Sequence, residues 1–105
     1  MSNGSGSNQI LISEIQIIPI RSDTGLVAFA SCVFGGMLRL DSIGIISRAD
    51  GSFRLSYPNK KLGNGQSLQF FYPISREAGE ALEKAIVKKY SDLLNERISD
   101  GDYQA

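Results

Sequence analysis

The side chains that most often perform chemistry are few in this chain and do not gather. There is no histidine, which removes the usual general base and the usual metal ligand together. The one cysteine, Cys32, stands among Ala30, Val33 and Phe34 with no base near it in sequence, so it reads as a buried structural thiol rather than a nucleophile. The carboxylates fall singly in strands and turns or on one side of a helix, without the clustering a metal site needs. Gly35-Gly36 and Gly63-Asn64-Gly65 are too short for phosphate-cradling loops, and neither leads directly into a helix. No enzyme site, cofactor or small-molecule substrate is expected.

The basic residues are more informative. From Arg39 to Lys61 there are Arg39, Arg48, Arg54, Lys60 and Lys61 against only Asp41 and Asp50. A Lys-Lys pair beside glycines can present ammonium groups to phosphates, so Lys60 and Lys61 are the first candidate nucleic-acid contacts. Arg54 on the preceding strand and Arg48 in the neighbouring turn support them. The plainer alternative is a surface loop kept soluble by charge. On the helix, Glu80, Lys84 and Lys88 at four-residue spacing are ordinary surface ion-pair partners. Lys89 projects into the apolar stripe, which calls for a packed stem and a solvated head or for a helix that overhangs the sheet.

The elements that position these groups follow from periodicity and punctuation. Residues 1–9 are rich in Ser, Gly and Asn and are expected to be a flexible tail. Ile15 and Ile17 alternate with Glu14 and Gln16 in a half-buried strand, and Pro19 places that strand at an edge. Leu26–Phe34 and Met37–Ser47 form the strongest local signal, two strand-like runs around Gly35-Gly36, which suits the positive φ values of a two-residue hairpin turn. Gly44 inside the second run marks a bulge or a close backbone approach. Ser52–Tyr57 reads as a fourth strand with Phe53 and Leu55 on one face, residues 58–65 as an exposed loop, and Ser67–Tyr72 as a fifth strand.

After Pro73, Ser75 can cap a helix whose first turn carries Glu77 and which extends to about Ser99. Its apolar stripe comprises Ile74, Ala78, Ala81, Leu82, Ala85, Ile86 and Leu93. Gly79 within it is read as a tolerated weakness. The fold class is therefore α+β, an antiparallel sheet of about five strands followed by one long C-terminal helix. A single domain is expected over 10–99, with a short disordered tail at 100–105. The second strand is apolar on both faces, because Val27, Phe29 and Val33 oppose Ala28, Ala30, Cys32 and Phe34. One helix covers one face, so something must cover the other, and a dimer is expected, made by adding sheet to sheet or by packing the helix against the partner.

A chain of 105 residues has room for one core. Hydrophobic residues at 42% and charged residues at 21% are ordinary globular usage. Eleven basic and eleven acidic side chains cancel, so attraction for polyanions must come from local clustering. Apolar stretches stop far short of the ~20 residues that span a bilayer. The N-terminus has no secretion-signal pattern. The expected location is the cytoplasm, with no membrane partner.

The order of these features resembles the SpoVG family, the stage V sporulation protein G or septation-regulator proteins of bacteria. The resemblance rests on Glu14-Ile15-Gln16-Ile17, on Ala28-Phe29-Ala30-Ser31 and on the run from Ser42 to Ile46. More specific are Tyr57-Pro58-Asn59-Lys60-Lys61, followed by a glycine loop, and Tyr72-Pro73-Ile74 leading into Ser75-Arg76-Glu77, with Ala85-Ile86-Val87 and Tyr90 in the helix. Tyr72 stands where the family usually has a histidine, and Gly44 where it has an arginine. The resemblance implies a homodimer of small α+β subunits that binds DNA and, in some members, RNA, and that regulates gene expression, septation or sporulation. The alternative is a septation regulator acting through protein–protein contacts without nucleic acid.

Overall fold

Two strands of this chain share an irregular spacing of inward-facing residues, three apart and then two: Ile12, Ile15 and Ile17 in one, and Leu40, Ile43 and Ile45 in the other. Strict alternation would turn part of each set to the wrong face. A computed structural model, describing residues 10–104 and the side chains of 10–96, shows how the chain resolves this. The first strand, β1 (Ile12–Pro19), has a register shift between Ser13 and Gln16, where Glu14 takes φ 49°. The third, β3 (Leu38–Ser47), has an extra residue between the partners of Cys32 and Ala30, where Ser42 takes φ 62°. Each bulge absorbs one residue and returns the later isoleucines to the core face. At Ser42 the strained turn is supported by its own N–H donating to Asp41 Oδ1 at 2.8 Å.

Between them lies β2 (Leu26–Phe34), and β4 (Phe53–Ser56) follows β3, giving an antiparallel four-stranded sheet in the order β1-β2-β3-β4. Pro19 thus lies on an edge strand, as its missing N–H requires. The turn joining β2 and β3 has Gly35 at φ 64° and Gly36 at φ 72°. It contains three residues rather than two, because Phe34 pairs with Leu38 and leaves Met37 86% exposed. Gly44 is a close approach and not the bulge: a Cβ there would lie 3.0 Å from Leu26 Cδ1.

The expected fifth strand does not join this sheet. Residues read as a loop form β5 (Asn59–Lys61), which pairs with β6 (Ser67–Gln69) as a separate two-stranded arm whose residues are all exposed. The helix α1 (Arg76–Gln104) is five residues longer than its sequence suggests. The tail expected at 1–9 lies outside the described residues.

Helix α1 starts where Ser75 caps it: Ala78 N–H donates to Ser75 Oγ at 3.0 Å, and Gly79 N–H to the Ser75 carbonyl at 3.1 Å. Among its described side chains the buried ones are Leu82, Ile86 and Tyr90, spaced one turn apart. They pack on Ala28, Ala30, Cys32, Ile43 and Ile45. Phe53 meets the Tyr90 ring edge-on at 5.1 Å between centroids. Ile74, assigned to this stripe from sequence, is 91% exposed because it precedes the cap. An irregularity between Leu26 and Ala28 brings Val27 to the core and sends Leu26 toward the other face. A Cβ added at Gly79 would meet only Pro73, at an ordinary contact distance of 3.6 Å, so nothing there demands a glycine. Among the described residues no helix is long and apolar enough to cross a membrane.

Candidate nucleic-acid interface

In the arm, antiparallel pairing sets Asn59 against Gln69, Lys60 against Leu68 and Lys61 against Ser67. Neighbouring residues on a strand point to opposite faces, so the two lysines do not form one cationic pair. Lys60 shares a face with Leu68, and Lys61 shares the other with Ser67, Asn59 and Gln69. Both are exposed. Their loop is closed by Leu62 N–H donating to the Gln66 carbonyl at 2.7 Å and by Gln66 N–H donating to Asn64 Oδ1 at 3.0 Å. The arm is therefore hydrogen-bonded along its length.

Arg54 lies on β4 opposite Ile46, on the sheet face away from the helix, and is exposed. Ile46 also lines a groove of about 270 Å³ on that face with Phe29, Gly44, Ser56, Tyr57 and Asn59. This groove joins the outer sheet face to the root of the arm at Asn59, and Arg54 lies opposite Ile46 at its side. Arg48 is not brought to it. It sits in the turn at the opposite end of β4, where its N–H donates to the Ser52 carbonyl at 2.8 Å. Beside it, hydrogen bonds from the Ser52 hydroxyl and N–H, with help from Arg48, hold the Asp50 carboxyl below its usual range. That turn has its own anion beside its own cation.

Among the described residues the ion pairs are Arg39–Glu14 at 3.7 Å, Arg76–Glu80 at 3.9 Å and Lys88–Asp92 at 3.0 Å. Glu80 thus pairs with Arg76 and Lys88 with Asp92, in place of the Glu80-Lys84-Lys88 series. None of the three uses Lys60, Lys61 or Arg54. Lys89 is exposed, although it falls within the projected stripe. Cys32 is fully buried and its thiol is pushed up by desolvation, with Arg39 opposing in part. An inert thiol follows.

One charge feature of this region is not visible in residue types taken singly. From Gly51 through Arg76 there is no Asp or Glu, while Arg54, Lys60, Lys61 and Arg76 are present. The whole excursion from β4 through the arm to the helix cap is cationic in a chain with no net charge. Its signal in the sequence is a count along that window rather than from Arg39 to Lys61.

The SpoVG family model matches residues 10–92, from the start of β1 to within α1. Relatives carrying the description "Putative septation protein SpoVG" include one from Finegoldia magna, 31% identical over 84% of this chain and 81% of that protein. Another, from Phytoplasma australiense, is 27% identical over 85% of this chain and 92% of its own length. A third, from Archaeoglobus fulgidus, is 25% identical over 77% and 94%. The match spans the four-stranded sheet, the cationic arm and the sheet-covering part of the helix, and the chain belongs to the SpoVG family.

Proposed function

We propose that this protein is a small regulatory nucleic-acid-binding protein, acting in the cytoplasm as a homodimer on DNA, with RNA as the alternative nucleic acid, in the control of gene expression and of septation or sporulation. The observation that carries this reading is the uninterrupted cationic excursion from Gly51 to Arg76, displayed on an arm whose lysines have no carboxylate on it. Affinity for a polyanion comes chiefly from such phosphate contacts and the counterions they release. The relatives' description as septation proteins supports the process.

The homodimer is supported by the sheet face that the helix leaves uncovered. Ile18 is 64% exposed and pairs with Phe29, which is 38% exposed. Leu26 and Ile46 extend that apolar surface beside the Gly44 notch. An apolar face of this kind on a single subunit suits a second copy of itself. It also favours the second reading, in which a different protein docks there and regulation of septation needs no nucleic acid.

Filter binding of mixed DNA and RNA oligonucleotides at low and physiological salt separates the two. The nucleic-acid reading expects retention at low salt that falls steeply as salt rises. No detectable retention of either at low salt would overturn it and leave the protein-docking reading in its place.

A further inference from the structure

The arm has two chemically different faces. Its ladder extends beyond β5 and β6, because Leu62 N–H donates to the Gln66 carbonyl at 2.7 Å and Phe70 N–H to the Pro58 carbonyl at 3.0 Å. Alternation along this extended ladder sets Lys60, Leu62, Leu68 and Phe70 on one side and Asn59, Lys61, Ser67 and Gln69 on the other. The first side, which Gln66 shares as the partner of Leu62, carries three apolar side chains beside Lys60, yet Leu62 is 39%, Leu68 52% and Phe70 60% exposed. Phe71 turns the other way and packs toward the core, its ring edge-on to Tyr57 at 6.0 Å. Tyr72 beyond it is 56% exposed.

Three occupants could cover such a strip, and charge distinguishes them. A second copy packed strip to strip would bury the Lys60 ammonium without a carboxylate, since the arm and its flanks from Gly51 to Arg76 contain none. Duplex nucleic acid would satisfy Lys60 but offers its base faces only to one another, so the leucines and Phe70 would stay in water. A single strand offers both phosphates and free base faces. Cations interleaved with aromatic rings are the combination that binds it.

We infer that the arm recognises single-stranded nucleic acid, with Phe70 as the ring on which a base stacks and Lys60 holding an adjacent phosphate. This rests on the nucleic-acid reading above and narrows it to a strand form and a face. Leu68, paired with Lys60, is the apolar floor between cation and ring. Lys61 lies on the far side and contributes charge without touching the stacked base.

The test compares three labelled probes of equal length on the unmodified protein: oligothymidine, the same strand with abasic sugars, and duplex DNA. The abasic strand keeps the phosphates and removes the stacking partner. Stacking predicts that oligothymidine binds roughly 5- to 150-fold more tightly than its abasic counterpart. Phe70→Ala should abolish most of that difference and Phe70→Tyr should keep it. Phe70→Ala should leave duplex and abasic affinities nearly unchanged, and melting should match the parent because the ring is mainly exposed. Equal binding of oligothymidine and abasic strand by the parent would overturn the inference. So would a Phe70→Ala loss of the same size on all three probes, or a change of oligomeric state in that variant. Absence of binding to any probe at low salt would instead overturn the broader nucleic-acid reading, so the two failures are distinguishable.

Discussion

The opposite orientation of Lys60 and Lys61 changes what their removal should do. If the two formed a cationic pair, a dimer would place about four ammonium groups on phosphates, and replacing both would flatten the plot of log affinity against log salt by roughly three to four units on duplex DNA. On the arm they point apart, so a phosphate run along one face meets one lysine per subunit. In the proposed homodimer, two subunits would supply about two contacts, a slope change of roughly 1.8 on duplex and 1.4 on single strands. Lys60→Ala alone should account for most of it, and Lys61→Ala for a minor part. Titrations across a salt series would compare these variants with Lys84→Ala, Lys88→Ala, whose Lys88 already pairs with Asp92 at 3.0 Å. All should melt like the parent, because exposed lysines contribute little to stability. A loss of three to four units in the double arm variant would refute the opposed-face geometry. An unchanged slope there, with a collapsed slope in the helix variant, would move the interface to α1.

Three further outcomes check the framework. Ile86→Ala removes a side chain with no exposure and should cost about 2–5 kcal/mol, read as a lower denaturant midpoint. Ser75→Ala deletes the cap on Ala78 N–H and should cost about 1 kcal/mol, lowering Tm by roughly 4–8 °C. Burial, reinforced by Glu83 and Cys32, pushes the Tyr57 hydroxyl up to about 12. Because the folded value is raised, the associated stability is complete below the unfolded value of about 10 and is lost as pH climbs from there toward 12. Denaturant midpoints across that range should fall in the parent and fall less in Tyr57→Phe.

The elements of this fold are written in its sequence more clearly than their assembly. The β2–β3 hairpin, the edge position of Pro19 and the Ser75 cap follow from local rules, since a glycine pair, a missing N–H and a hydroxyl each act within a few residues. The bulges are harder to see, because Gly44 is the residue that most easily takes unusual backbone, whereas Glu14 and Ser42 carry the positive φ. The recurring three-then-two spacing of inward residues in β1 and β3 is the signal that marks them. The projected helix stripe leaves out Tyr90 and takes in Ile74, because periodicity alone does not say where the cap begins. At the interface, composition picks out Lys60 and Lys61, but reading 58–65 as a loop hides the alternation that separates them. Two glycines and a proline look like a loop whether or not a short ladder runs between them.

That ladder also sets the candidate binding surface apart from the folded core. The fully buried core is drawn from β2, β3 and α1, and no residue of β5 or β6 belongs to it. Substitutions between Asn59 and Phe70 thus act outside the fully buried core. The division ends at the arm's root. Tyr57 and Phe71, one on each side of the arm, meet edge-on at 6.0 Å and pack against the core. Three consecutive aromatics at the root of the arm therefore divide between packing and exposure. The central ring packs the root of the arm onto the domain, while Phe70 and Tyr72 stay 60% and 56% exposed.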